Sequence, residues 1–214
     1  MNNLLVLFLL SLFNLCTAQT HIIFTSALIS EQYQLRKQEY KESLSSLKRL
    51  GMNPWIIEST PIKRSFFDKL SSQVLYPQTN DPTIQNIGVN EVLAIKKCIP
   101  FLPFNDEDIV IKLTGRYLLY DNFLLNTILQ HPECDAFAKW IGNEVFTGCI
   151  ALRWKHFKQA LDSIDLKEME EKLINLETLI ANYIIDQKLT CSSLETLHCK
   201  ARVFGWRATS QADY

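Results

Sequence analysis

Short apolar runs and longer stretches of helical spacing alternate along the chain. Residues 20–28, with the sequence THIIFTSAL, are apolar and rich in β-branched side chains, which predicts a buried strand. Residues 30–50 carry apolar side chains at near-helical spacing before Gly51, which predicts a helix with a glycine stop. A second strand is predicted at residues 55–58. Together the three elements form a βαβ unit, in which the two strands run parallel.

The remaining elements follow from the same patterns. Helices are predicted at residues 62–72, 88–101, 121–129, 154–163 and 166–189, and strands at residues 109–113, 135–140, 145–153 and 200–204. Residues 74–86 show no periodicity and are expected to form a polar loop. The chain shows no internal repeat and no linker, so one α/β domain is expected over residues 19–214.

The first 18 residues have the pattern of a secretory signal peptide. An apolar run covers residues 4–10 and continues to Phe13, and small residues precede a cleavage site after Ala18. The run is shorter than the roughly 20 residues that span a bilayer, so no membrane span is expected after cleavage. The pattern predicts a secreted, secretory-pathway or periplasmic protein. Because no Lys or Arg precedes the run, the alternative is a buried first element of a cytoplasmic protein.

Composition narrows the classes of partner. Of the 214 residues, 47% are hydrophobic, which is enough for a full core. The net charge of -1 argues against nucleic acid as a partner, because nucleic-acid binding requires a clustered basic surface. The densest basic cluster is interrupted by Glu39 and Glu42 and is interpreted as the solvated face of a helix: Arg36, Lys37, Lys41, Lys48 and Arg49.

Five cysteines follow the predicted cleavage site, and none of them has C-x-x-C spacing. Cys191 and Cys199 are close enough in sequence to form one disulfide. Cys98 and Cys149 lie in apolar runs and are expected to be buried thiols. The four histidines show no metal-ligand spacing.

Candidate functional residues follow from where the predicted strands end. In open α/β sheets, ligands bind beyond the carboxyl ends of the strands. This rule selects Thr25 and Ser26 after the first strand, Glu58 after the second, and residues 114–117 after the strand at 109–113.

The hexapeptide KLTGRY at the end of the third strand carries the most chemistry. Gly115 allows a tight reversal or the close approach of a ligand, and Arg116 offers a planar set of donors suited to phosphate. Lys112 lies within an apolar strand, where an ammonium group needs a partner. The alternative is structural: Lys112 pairs with Glu58 or Glu91, and Arg116 forms a surface ion pair.

Four segments of the sequence resemble a known family. They are HIIFTSAL, WIIES, the stretch Asn86-Ile87-Gly88-Val89-Asn90-Glu91 and IVIKLTGRY, in that order. Together they resemble small bacterial and viral glycosyltransferase-like proteins of the GT-A fold, in which an N-x-G-x-N-E helix precedes a strand ending in K-[LI]-[TS]-G-R-Y. The resemblance covers roughly residues 20–185. It implies a single Rossmann-like GT-A domain, with a mostly parallel central sheet and helices on both faces.

The resemblance also implies a nucleotide-sugar donor, an acceptor that is a glycan, a lipid or a protein, and roles for single residues. Thr25 and Ser26 would line the nucleotide pocket, and Glu58 would contact the base or ribose. Asn86, Asn90 and Glu91 would lie under the donor, near the diphosphate or the sugar.

The expected metal motif of GT-A enzymes is missing. Typical members of the GT-A group that this chain resembles carry an Asp-x-Asp motif that binds Mn²⁺ or Mg²⁺. At the corresponding place this chain has Thr114-Gly115-Arg116. The string Asp106 to Asp108 lies before the strand, at its other end. We therefore expect no metal cofactor, with Mn²⁺ or Mg²⁺ as the alternative. Lys112 and Arg116 would neutralise the leaving diphosphate.

An inverting glycosyl transfer also needs a general base for the acceptor hydroxyl. Glu144, just before a strand, and Glu177, within a helix, are the candidates; a solvated or ion-paired acid is the alternative for Glu177. Trp140 and Trp154 are candidates for stacking on a sugar ring, although two core tryptophans are the simpler interpretation.

Two functions are compatible with these sequence features. The first is a glycosyltransferase, and the second is a non-catalytic glycosyltransferase-like protein that binds a nucleotide or a glycan. A dinucleotide-binding dehydrogenase or a serine hydrolase is disfavoured, because neither G-x-G-x-x-G nor G-x-S-x-G occurs.

Overall fold

The computed structural model describes residues 18–28 and 33–201. The predicted leader lies outside the described residues apart from Ala18, so its cleavage stays a prediction. Within these ranges, no helix combines the length and the apolar character that crossing a membrane requires.

Strands and helices alternate along the described chain. The strands are β1 (Thr20–Ser26), β2 (Trp55–Glu58), β3 (Val74–Leu75), β4 (Ile109–Thr114), β5 (Tyr117–Leu119), β6 (Ala136–Ala138), β7 (Trp140–Ile141), β8 (Glu144–Val145), β9 (Cys149–Arg153), β10 (Cys191–Ser193) and β11 (Cys199–Ala201). The helices are α1 (Tyr33–Arg49), α2 (Ile87–Cys98), α3 (Phe123–Gln130), α4 (Trp154–Ser163), α5 (Leu166–Glu171) and α6 (Leu176–Asp186). Short 3₁₀ helices cover Phe66–Lys69 and Ile99–Phe101.

Within the described residues, the central sheet has seven strands in the order β10-β6-β9-β4-β1-β2-β3. Strands β3, β2, β1 and β4 are parallel neighbours, and β6 is parallel to β10. Strand β9 runs in the opposite direction, because it pairs antiparallel with both β4 and β6. The predicted mostly parallel sheet is therefore confirmed. Two small antiparallel pairs, β5 with β11 and β7 with β8, lie outside it.

Apolar side chains form a core on each face of the sheet. On one face α2, α4 and α6 contribute Val92, Trp154 and Ile180, and on the other face α1 and α3 contribute Leu47 and Leu124. Helices thus cover both faces, as predicted. Double coverage also explains why β1 and β4 have nearly continuous apolar runs rather than an alternating pattern.

The predicted helix at residues 62–72 is wrong. Ser65 caps only the 3₁₀ helix Phe66–Lys69, and the chain then turns back to place β3 beside β2. A hydrogen bond from Ile56 N to Gln73 O, 2.8 Å long, begins this pairing. Strand β3 lies within the predicted loop at 74–86, and its two residues are too few to show a periodic pattern.

Several predicted elements in the second half are divided. The predicted strand at 135–140 becomes β6 and β7, and the predicted strand at 145–153 becomes β8 and β9. Strands β7 and β8 form a hairpin whose turn contains Gly142 at a φ of 62°. The predicted helix at 166–189 is interrupted at Leu173, where a φ of 51° is outside the right-handed helical region.

Cys191 and Cys199, which are close enough in sequence to form a disulfide, are both free thiols. Cys191 lies at the edge of the central sheet, whereas Cys199 lies on β11, which pairs with β5. Cys98 and Cys149 are buried free thiols, as predicted. Burial raises the pKa of Cys98 to about 12.

Gly115 provides space for protein side chains. A Cβ atom at this position would lie 2.7 Å from Phe24 Cζ and 2.7 Å from Tyr40 Cδ1. Both rings are buried, and their centroids are 5.9 Å apart in an edge-to-face arrangement. The position of Gly115 in KLTGRY suggested the close approach of a ligand. The groups that approach Gly115 closely are instead the rings of Phe24 on β1 and Tyr40 on α1.

Candidate functional site

A cleft of about 320 Å³ opens at the carboxyl ends of β1, β2 and β4. Helix α1, the start of α2, the segment between β8 and β9 and the start of α6 border it. We call it the strand-end cleft; the lining residues used below are Thr25, Ser26, Arg36, Asn86, Asn90, Glu91, Thr114, Arg116, Thr147 and Glu177. Its position follows the rule for ligand sites in open α/β sheets.

Most of the predicted site residues line this cleft: Thr25, Ser26, Asn86, Asn90, Glu91, Thr114, Arg116 and Glu177. Glu58, Lys112, Gly115 and Glu144 are not among the lining residues. Glu58 and Lys112 are 0% and 2% exposed, respectively, so they lie beneath the surface of the cleft.

An ion pair between a buried lysine and a partly exposed glutamate forms the floor of the cleft. Lys112 Nζ lies 2.8 Å from Glu91 Oε1, and it also donates to Thr114 Oγ1 at 2.8 Å and to Thr147 O at 2.7 Å. An ammonium group has three N–H donors, and these three acceptors occupy all of them. The structural alternative of pairing with Glu91 is confirmed. Lys112 therefore has no N–H left to donate to the diphosphate that it was expected to neutralise.

Glu91 is held as an ionised carboxylate. Its Oε1 accepts hydrogen bonds from Lys112, from Thr25 Oγ1 at 2.5 Å and from Thr114 Oγ1 at 3.4 Å. Burial raises the pKa of Glu91, but the attraction of Lys112 and the hydrogen bonds from Lys112, Thr25 and Thr114 outweigh it. The pKa therefore lies below its ordinary value of 4.5. Glu91 and Lys112 together form a neutral pair at neutral pH.

Thr147 connects this pair to a second carboxylate. Its carbonyl oxygen accepts from Lys112, and its hydroxyl donates to Glu177 Oε1 at 2.5 Å. Thr147 is buried, while Glu177 lies in the first turn of α6 and lines the cleft. Hydrogen bonds therefore link Glu91 on α2 to Glu177 on α6 across the floor of the cleft.

Glu144 is placed differently from Glu177. It lies on β8, and its Oε1 accepts from Thr178 Oγ1 at 2.5 Å. Since Glu144 does not line the cleft, the structure brings only Glu177 of the two predicted catalytic carboxylates to the strand ends.

The motif Asn86–Glu91 holds the rim of the cleft together. Asn86 Oδ1 accepts from Gly88 N at 3.1 Å and caps α2, and its Nδ2 donates to two carbonyls in and after α5 at 3.0 and 2.9 Å. Asn90 binds both backbone groups of Asp81, at 3.0 and 2.9 Å. Both asparagines therefore use their amides to fix neighbouring loops, and Glu91 is the ionised member of the motif.

Glu58 organises the loop that follows β1. Its carboxylate accepts from Ser26 Oγ at 2.8 Å, from Leu28 N at 3.1 Å and from Thr60 N at 3.0 Å. The resemblance implied that Glu58 contacts the base or the ribose. Because Glu58 is fully buried, its carboxylate is not presented to a ligand in the cleft. It instead sets the position of Ser26, which does line the cleft.

Arg36 lines the cleft, although the sequence pattern assigned it to the solvated face of α1. Its side chain is 15% exposed, and NH1 donates to Glu39 Oε2 at 3.2 Å. Its Nε is buried without an acceptor among the described residues. Charged residues three apart are typical of a solvated helix face. The sequence pattern therefore did not predict that the side chains of Arg36 and Glu39 are largely buried.

Arg116 lies exposed at the rim of the cleft, in the turn between β4 and β5. No described residue forms an ion pair or a hydrogen bond with its guanidinium group. Burial raises the pKa of Glu39 and raises that of Tyr40 to about 12, and the charges of Arg36 and Arg116 oppose both shifts. The two arginines thus lie near the same buried groups.

Carboxylate oxygens are side-chain ligands that Mn²⁺ and Mg²⁺ prefer. In the part of the chain that the structure describes, no three His, Cys, Asp or Glu side chains group closely enough to hold a metal ion. Asp108 lies at the amino end of β4, away from the cleft, and accepts from Gln19 N at 2.9 Å. Asp106 pairs with Lys158 at 2.6 Å. In the cleft itself, Glu91 is committed to Lys112.

Trp140 and Trp154 do not line the cleft. Trp154 is 2% exposed and stacks on Phe157, with ring centroids 5.9 Å apart. Trp140 packs against the same core. Trp154 is a core residue, as the simpler interpretation predicted, and Trp140 is partly buried at the edge of that core.

No protein-family model and no curated protein matches the sequence. Among solved structures, the glycosyltransferase GlyE of Streptococcus pneumoniae TIGR4 is similar at a TM-score of 0.51 and 15% identity. The match covers 84% of this chain and 46% of GlyE, so this chain spans about half the length of that protein. An active-site mutant of LgtC is similar at a TM-score of 0.50 and 10% identity, over 77% of this chain and 69% of LgtC.

At such low identity these similarities establish the fold alone. The chain has the GT-A fold of glycosyltransferases, with an α/β architecture, a mostly parallel central sheet and helices on both faces. The predicted fold class is therefore confirmed.

Lys112→Met is expected to lower the free energy of unfolding by at most about 3 kcal/mol, because it leaves the carboxylate of Glu91, which is 22% exposed, without its cation. Combining it with Glu91→Gln is expected to recover a large part of this loss. Urea denaturation of the wild type, the two single variants and the double variant measures the coupling energy. A coupling energy near zero would contradict the ion pair.

Stability is expected to depend on Glu91 in a defined pH range. Because folding lowers the pKa of Glu91, this group stabilises the fold above its ordinary pKa of 4.5, and the contribution is lost as the pH falls through the lower pKa of the folded state. The difference in thermal stability between the wild type and Glu91→Gln should therefore shrink from neutral pH to about pH 3. A constant difference would exclude a lowered pKa.

Proposed function

We propose that this chain is a glycosyltransferase that takes a nucleotide-sugar donor and passes the sugar to a glycan, lipid or protein acceptor. The observation that carries the proposal is the strand-end cleft of a GT-A fold, which has Arg36 and Arg116 toward α1 and the carboxylate of Glu177 on α6. An inverting transfer needs both features: positive charge for the leaving diphosphate and a base for the acceptor hydroxyl.

The donor is proposed to lie along the strand ends. Thr25 and Ser26 would border the nucleotide, and the sugar would lie over Glu91 and Thr114. Because Lys112 neutralises Glu91, the floor of the cleft offers polar groups without repelling a dianion.

Donor binding is proposed to need no metal ion. The support is the chemistry of the side chains in the cleft: Glu91 is held by Lys112, and Arg116 lines the cleft at the place where, by the resemblance of the KLTGRY segment, a metal-binding acid would be expected. Fixed cations can stabilise the charge that develops on a leaving diphosphate. Mn²⁺ or Mg²⁺ binding stays the alternative.

Glu177 is the proposed general base. Thr147 Oγ1 holds its Oε1 at 2.5 Å, and no described residue donates a hydrogen bond to its Oε2. That oxygen is therefore free to take a proton from an acceptor hydroxyl bound in the cleft.

A non-catalytic protein that binds a nucleotide or a glycan is the second candidate. The observation that favours it is that all three N–H groups of Lys112 are used by protein acceptors, so this cation of the KLTGRY segment is not available to a leaving group. The two candidates share the cleft and differ in turnover.

Nucleotide binding is expected to raise the thermal stability of the chain, since a ligand that binds only the folded state adds about 2.7 kcal/mol at 100 times its Kd. Thermal unfolding with a panel of nucleoside diphosphates and nucleotide-sugars, each with EDTA or with Mn²⁺, measures this. A shift that persists in EDTA supports metal-free donor binding, and a shift that requires Mn²⁺ contradicts it. No shift with any nucleotide would count against a nucleotide-sugar donor.

Glu177→Gln is expected to lower the rate of sugar transfer by at least about 100-fold, because general-base catalysis contributes on this scale, while donor affinity stays unchanged. Glu144→Gln is the matched control, since Glu144 also accepts from a threonine hydroxyl at 2.5 Å but lies outside the cleft. Transfer assays with the donor found by thermal unfolding compare the two. Equal rates in both variants would exclude Glu177 as the base.

A further inference from the structure

Two arginines from distant parts of the sequence line the strand-end cleft, and the charges of both act on Glu39 and Tyr40 of α1. Arg36 lies on α1, Arg116 lies in the turn between β4 and β5, and both line the cleft. Helix α1 is fixed to β5 by hydrogen bonds from Ser43 Oγ to Tyr117 O at 2.5 Å and from Ser46 Oγ to a second carbonyl of that strand. We call Arg36 and Arg116 the arginine pair.

Most hydrogen-bond donors of the arginine pair have no protein acceptor. A guanidinium group carries five N–H donors. Among the described residues, Arg36 donates only to Glu39, at 3.2 Å, and its buried Nε has no acceptor. Arg116 donates to none of them. A buried N–H without an acceptor is destabilising, so the pair has the hydrogen-bonding capacity for a ligand with several acceptor oxygens.

Charge is distributed unevenly along the cleft. The arginine pair carries two positive charges, and the nearby buried acid, Glu39, offsets one of them at most. In the middle, Lys112 neutralises Glu91. On the α6 side, Glu177 forms no ion pair with a described residue. The α1 side of the cleft is therefore positive, and the α6 side is negative.

We propose that the arginine pair binds the diphosphate group of the donor directly and without a metal ion. The identity of the natural ligand rests on the proposed function, whereas the site itself would take any diphosphate. A planar guanidinium group can donate to two oxygens of one phosphoryl group. Two such groups match two linked phosphoryl groups better than a single phosphate ion.

The arginine pair would act on the leaving group. The bond between the anomeric carbon of the sugar and the diphosphate oxygen breaks, and the diphosphate keeps the electron pair. The acceptor oxygen forms the new bond to the anomeric carbon, and its proton passes to Glu177. Fixed guanidinium groups stabilise the negative charge that appears on the diphosphate.

Isothermal titration of the full chain with inorganic pyrophosphate in EDTA tests the site. We expect pyrophosphate to bind the wild type more tightly than inorganic phosphate does. Arg36→Gln and Arg116→Gln are each expected to weaken pyrophosphate binding by about 10- to 100-fold, the range for losing a hydrogen bond to a charged group. Arg49→Gln, at the exposed end of the same helix, is the matched control and should bind as the wild type does.

Arg36→Lys separates ligand binding from folding. Lysine keeps a positive charge beside Glu39 but loses the planar fork, so this variant should fold and still bind pyrophosphate more weakly than the wild type. Pyrophosphate binding that is unchanged in both glutamine variants, or that appears only with Mn²⁺, would overturn the proposal.

Two results distinguish a failure of the arginine pair as a diphosphate site from a failure of the proposed glycosyltransferase function. If the wild type transfers sugar and both glutamine variants keep their donor affinity, the inference about the arginine pair is wrong and the transferase stands. If pyrophosphate binding depends on the arginine pair but no nucleotide-sugar binds, the diphosphate site stands and the transferase is wrong.

Discussion

The ion pair between Lys112 and Glu91 is the interaction on which the rest of the cleft depends. It joins β4 to α2, and its hydrogen bonds reach Thr25 on β1 and Thr147 before β9. A lysine inside a central strand needs three acceptors, and the strand ends provide them only if α2 and the segment before β9 meet there. The pair therefore fixes the geometry of the cleft and leaves its floor neutral, so the charges at its two sides determine what it can bind.

The segments that resemble glycosyltransferase-like proteins contain two kinds of residue. Some hold the walls of the cleft together, and others offer unused donors to the cleft. Asn86, Asn90 and Glu58 fix loops through backbone hydrogen bonds, and Gly115 makes room for Phe24 and Tyr40. Arg116 instead lines the cleft with donors that the described residues do not use, and Glu177, which lies outside the motifs, lines it with an unused Oε2 acceptor. Most of these motif residues therefore shape the cleft through contacts within the protein.

Much of the fold and part of the site could be predicted from the sequence. Strand ends selected Thr25, Ser26, Thr114 and Arg116, because a parallel sheet brings all carboxyl ends to one edge. Hydrogen-bond partners distant in sequence could not be predicted: the third acceptor of Lys112 is the carbonyl of Thr147, 35 residues away. Arg36 was missed for the same reason. A charged pair three residues apart is typical of a solvated helix face, and the burial of Arg36 and Glu39 follows only from the packing of α1 against the sheet.

The central claim is that this GT-A cleft holds a diphosphate by guanidinium groups at its α1 end, over a neutral floor. A crystal structure of the chain with a nucleoside diphosphate, grown in EDTA, tests it most directly. We predict that both phosphoryl groups lie within hydrogen-bonding distance of Arg36 and Arg116, with Lys112 still bound to Glu91. Phosphoryl groups bound near Glu177, or bound only through an added metal ion, would contradict the claim.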